Sequence, residues 1–227
     1  MPENPVFEPE NSVPILNNQL SRRSLLAVGA VAAAALTLPA LPARAGDFPY
    51  SDIMALRFLE EIARVEADFF AKAANSSTAE GIQERELSAF SLIARQDSEL
   101  VRWFKAARQQ NKIGAFTNFY TPNQSTSRPT PTYSFGTDTF DTRSSLYSTA
   151  ISIKETALGV FHSVVGDADS PKMIQAFAAL AGVQGRHAAI LRELSGQSPL
   201  VPFEATVSRN TAAQRFEAYG FNREVLG

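Results

Sequence analysis

Near the middle of four apolar stretches the sequence places Glu66, Asp97, Thr156 and the pair Gln184 and His187. Each interrupts a series of apolar residues spaced by three and four, the spacing that holds side chains on one face of a helix. An unpaired polar group buried there would cost about 1–3 kcal/mol, and a charge more, so these groups must find partners. The chain has no cysteine, which excludes disulfides, thiolate nucleophiles, iron–sulfur ligation and cysteine-bound zinc. Any metal would be held by oxygen atoms and by the two histidines, His162 and His187. One way to satisfy the buried polar groups is a network in which His187 bonds Asp97 or Glu66. No glycine-rich phosphate loop and no Ser/His/Asp arrangement is present, nor a carboxylate pair set for acid–base work.

The elements that must carry these residues are helices. The first seam reads Leu56, Leu59, Ala63, Glu66, Phe70, Ala73, and the second Leu87, Phe90, Ala94, Asp97, Val101, Phe104. The third reads Leu146, Thr149, Ile153, Thr156, Val160, and the fourth Met173, Phe177, Leu180, Gln184, His187, Leu191, Leu194. End signals predict a first helix over 52–75 behind Ser51 as N-cap, a second over 78–111, and a third over 142–165 before Gly166. The fourth opens with Ser170 and Pro171 and stops before Gly196, and a short helix is expected over 211–219. Glu60 and Glu61, beside the first seam, are expected in solvent; His162 is expected at a packing or rim position and Trp103 in the core or at an interface.

Between the second and third helices lie about 28 residues, Ile113–Phe140, holding Pro122, Pro129 and Pro131 together with Phe116, Phe119, Tyr120, Tyr133 and Phe135. The prolines forbid a helix, and antiparallel neighbours need only a few connecting residues. The stretch is therefore expected to cross from one end of an all-α four-helix bundle to the other, making helices two and three parallel. Its aromatics are expected to pack along the bundle.

Ahead of these elements, Ser21-Arg22-Arg23-Ser24-Leu25-Leu26 leads into an apolar run ending at Leu41, and Ala43-Arg44-Ala45 closes it. This pattern resembles a twin-arginine export signal cleaved after Ala45. The run of 17 residues from Leu25 to Leu41 is at the lower limit for a membrane span, and Pro39 and Pro42 suit a cleaved signal better. The expected organisation is a signal over 1–45, a bundle over 46–200 and an extension over 201–227, with a periplasmic or secreted mature protein. Formal net charge is −2 for the 227 residues, so no basic field favours nucleic acid or an anionic membrane.

Four sequence patterns resemble the ferritin-like superfamily, in particular its twin-arginine-exported and desiccation-associated branch. They are Arg64-Val-Glu-Ala-Asp-Phe-Phe, Ile93-Ala-Arg-Gln-Asp-Ser-Glu-Leu-Val, Glu155-Thr-Ala-Leu-Gly-Val and Gln184-Gly-Arg-His-Ala followed by Leu191-Arg192. The resemblance covers about 150 residues and implies a bundle whose six ligands would hold two metal ions. Carried over residue by residue, those ligand positions fall on Ala63, Asp97, Leu100, Thr156, Gln184 and His187, with Glu155 next to Thr156. Asp97 and His187 alone are competent ligands of the usual kind. A two-metal centre is accordingly not expected. The first expectation is a protein without cofactor, structural, protein-binding or stress-related, with a homo-oligomer or a protein partner open to it. The alternative is a metal-binding, oxidoreductase-like protein that uses Glu66, Asp97 and His187 for iron or manganese.

Overall fold

The computed structural model describes residues 49–110, 132–200 and 205–223. The segment expected to be an export signal and the aromatics Phe116, Phe119 and Tyr120 lie outside the described residues. The helices are α1 (Tyr50–Ala74), α2 (Glu84–Gln110), α3 (Arg143–Asp167), α4 (Pro171–Ser195) and the short α5 (Arg209–Glu217), with a 3-10 turn at Thr137–Phe140. Among the described residues no helix is long and apolar enough to cross a membrane.

Most boundaries follow the local signals. At the start of α3, Thr142 and Ser145 form a reciprocal capping box. At the end of α4, Gly196 takes the left-handed conformation at φ 83°, and the amides of Gly196 and Gln197 close onto Glu193 and Arg192. Two boundaries differ from expectation. Ser51 lies inside α1, which begins behind Pro49. Helix α2 starts at Glu84, six residues later than expected, because Glu80 pairs with Thr142 in a parallel β-bridge and Glu86 accepts the Gln83 amide at 2.8 Å.

The α1–α2 and α3–α4 pairs are antiparallel hairpins, and α2 runs parallel to α3. The register shows this directly: Glu86–Arg143 and Asp97–Lys154 are both 57 residues apart, and the ring pairs Phe90–Tyr147 and Phe104–Phe161 keep the same separation. A constant difference in number means two chains running the same way. Helices α1 and α4 are parallel by the same test, with Asp52–Ser170 and Glu66–Gln184 both 118 apart. The long connection between α2 and α3 is thus a crossover, as its length predicts.

The described end of that connection is packed onto the bundle. Tyr133 and Phe135 are buried, and Phe135 meets Phe69 edge-on at 5.0 Å between ring centroids. The C-terminal segment is also sewn in: Phe221 packs on Phe58, Tyr219 accepts the Ser134 amide, and Val207 donates its amide to Gly159 at 2.9 Å. Trp103 is in the core, stacked edge-on to Phe104.

Two expectations about burial are corrected. The buried face of α2 is rotated from the expected seam: Leu87, Ala94 and Val101 are half-buried, while Glu86, Ile93, Gln96 and Leu100 are inside. Glu60 and Glu61 are buried as well. Glu60 is clamped by Arg64 and Arg108, and Glu61 accepts the Tyr133 hydroxyl at 2.8 Å.

Candidate functional site: a lysine-centred polar core

One residue from each of the four long helices meets at the centre of the bundle: Glu66 from α1, Asp97 from α2, Lys154 from α3 and Gln184 from α4, all with no solvent exposure. The Lys154 ammonium donates to Asp97 Oδ1 at 2.7 Å, to Asp97 Oδ2 at 2.8 Å and to Gln184 Oε1 at 2.9 Å. Those bonds use all three of its protons. Glu66 Oε1, also 2.9 Å from the nitrogen, therefore has a charge contact without an aligned hydrogen bond. Glu66 Oε2 accepts the Gln184 amide at 3.0 Å. The Phe70 ring lies 5.1 Å from the nitrogen and closes the cluster with its π face.

The electrostatics follow from burial. Loss of water pushes the Glu66 carboxyl up to about 8, with Lys154 opposing the shift and Asp97 adding to it. The same desolvation raises Asp97 to about 6, moderated by its bonds to Lys154. Desolvation of both carboxyls is thus set against their attraction to a single ammonium. The Gln184 amide is suited to this balance, because its oxygen accepts from the cation while its NH₂ donates to Glu66.

His187 extends the network but does not bond Asp97 or Glu66. Its Nε2 meets Gln96 Oε1, a contact made by the tautomer protonated at Nε2. Its Nδ1 is buried, has no hydrogen-bond partner and lies 3.7 Å from Asp97 Oδ1. Burial, then the nearby Lys154 and Arg186, holds this imidazole well below its ordinary pKa, so the contact with Asp97 is not an ion pair. The structure thus gathers Glu66, Asp97 and His187 in one cluster, and adds Lys154 and Gln96.

The remaining family positions have other surroundings. Ala63 and Leu100 are buried and carry no donor atom. Thr156 accepts from Arg215 of α5 at 3.2 Å. Glu155 faces outward and takes both Arg192 Nε and Nη2 on one oxygen, at 2.9 and 2.7 Å. His162 is half-buried and lines a surface groove with Gly182 and Arg186.

Lys154 was legible in principle. Its neighbours three and four residues away are Ala150, Ile151, Ala157 and Leu158, all apolar, so a lysine there has no polar face of α3 to occupy. A seam counted only through Ile153 and Thr156 passes over it. Gln96 stands beside Asp97 and is inside only because the buried face of α2 is rotated.

No curated protein and no solved structure matched the chain. A family model for the ferritin-like domain matches residues 51–197, the span from the first turn of α1 to just past the end of α4. With the crossover bundle and the polar groups at its centre, this match shows that the chain belongs to the ferritin-like domain family.

Proposed function

We propose that this chain is an exported ferritin-like protein without a two-metal centre, serving the periplasm as a structural, protein-binding or stress-related bundle. The observation that carries the reading is the Lys154 ammonium, which stands within 2.9 Å of oxygens from Glu66, Asp97 and Gln184. Two divalent ions would add four positive charges beside that ammonium, against only two carboxylates, and burial makes such an imbalance costly. Alanine, leucine, threonine and glutamine at four of the ligand positions give two neutral oxygens and no carboxylate or imidazole. Export by the twin-arginine route is supported by Arg22 and Arg23 ahead of the apolar run and the Ala43-Arg44-Ala45 ending.

Metal analysis of the untagged protein, folded in iron- and manganese-replete cells, tests the central claim. Substoichiometric metal is expected. Two equivalents per chain would overturn the reading, and one equivalent removed by His187→Ala would favour an atypical mononuclear site. Replacing both Arg22 and Arg23 by lysine is expected to trap precursor in the cytoplasm; undiminished periplasmic accumulation would refute the route.

A further inference from the structure

We propose that the Lys154 side chain is the resident cation of this bundle, occupying the point where Glu66, Asp97 and Gln184 converge and barring a divalent metal ion from a donor set that could otherwise bind one. The inference rests on the reading of the bundle as lacking a two-metal centre, and it assigns that lack to a residue outside the ligand positions.

Four oxygens from three helices surround one positive centre supplied by the fourth helix. That is an arrangement a hard cation requires. The nitrogen–oxygen distances of 2.7–2.9 Å are those of charge-assisted hydrogen bonds, longer than the ~2.0–2.2 Å of a zinc–carboxylate bond. The oxygens are therefore spaced for an ammonium.

A second observation points to a ligand the ammonium cannot satisfy. His187 Nδ1, on a side chain 2% exposed, has a lone pair with no proton to accept and sits 3.7 Å from an oxygen of Asp97. Lys154 has already spent its three protons on Asp97 and Gln184. Without the lysine side chain, two carboxyls, an amide oxygen and this imidazole would border one enclosed space. That mixed oxygen and nitrogen set suits a divalent first-row ion. Glu66 and Asp97 would both bind as carboxylates, because metal ligation requires deprotonated ligands.

The test uses the full untagged chain, stripped with chelator and titrated with Co²⁺, whose visible absorption reports ligation. Wild type is expected to show no ligand-field bands. Lys154→Ala is expected to take up Co²⁺ at least ~10-fold more tightly than wild type and to melt higher in its presence. Adding His187→Ala to that variant should weaken the uptake. Wild type binding Co²⁺ as tightly as Lys154→Ala would overturn the inference. So would a folded Lys154→Ala that binds none, an outcome that leaves the bundle's proposed function standing; two equivalents of metal in the native protein would overturn that function instead. If Lys154→Ala does not fold, wild type decides. Its Lys154 ammonium protons should give a slowly exchanging NMR signal unmoved by Co²⁺, and a paramagnetic shift of that signal would overturn the inference.

Discussion

Asp97 presents both carboxylate oxygens to Lys154, at 2.7 and 2.8 Å, across two helices that run parallel in a constant register. Breaking a buried pair by removing one member costs about 3–5 kcal/mol, because the other charge is left uncompensated, whereas removing both with apolar groups costs far less. Lys154→Met is therefore expected to lower stability by about 3–5 kcal/mol in urea unfolding. Lys154→Met combined with Asp97→Leu should be more stable than Lys154→Met alone. A double variant as unstable as the sum of its parts would show that the two residues are not coupled.

The same cluster sets a pH dependence. Glu66 is raised from 4.5 to about 8, so its contribution to stability is complete below its unfolded value and is lost as pH rises through about 8. Asp97 acts in the same sense at lower pH, from 3.8 to about 6. His187 acts in the opposite sense: it is kept neutral when folded, and its contribution is lost as pH falls below 6.5. Above pH 6.5 the Glu66 change dominates, and at ~1.4 kcal/mol per pH unit stability should fall by about 1–2 kcal/mol between pH 6.5 and 8. Glu66→Gln should flatten that fall. Stability that rises across this window in wild type would contradict the assignment.

Gly159 lies where the C-terminal segment presses on α3. A Cβ there would stand 2.5 Å from Val207 Cγ2 and 2.7 Å from the Ala205 carbonyl oxygen. Gly159→Ala is expected to cost about 1–3 kcal/mol through overpacking and to speed hydrogen exchange at the Val207 amide. Gly166, in the same helix, has nothing within 4 Å of such a Cβ, so Gly166→Ala should stabilise by roughly 0.5–1 kcal/mol. Equal effects at the two glycines would argue against docking of the C-terminal segment as the cause.

The start of α4 is capped by another helix. Asp52 of α1 accepts the Asp169 amide at 3.0 Å and the Ser170 amide at 3.1 Å, while Ser170 makes no cap bond of its own. Asp52→Ala should cost about 1–2 kcal/mol, and Ser170→Ala only a few tenths. Thermal melts of the two variants would distinguish them, and the reverse order would assign the cap to Ser170.

Helix identity, the crossover and the gathering of Glu66, Asp97, Gln184 and His187 were determined by the sequence alone, because periodicity, end signals and proline are local rules that act within a few residues. The Thr142 and Gly196 boundaries are of this kind. Tertiary structure alone decided which way the buried face of α2 turns, and with it the place of Gln96 and the burial of Glu60 and Glu61. It also decided that Asp52 caps α4, a contact made across 117 residues. Above all it decided what stands at the centre. Helical spacing sets Lys154 on an apolar face of α3, but only the oxygens brought from three other helices offset the cost of burying its ammonium there.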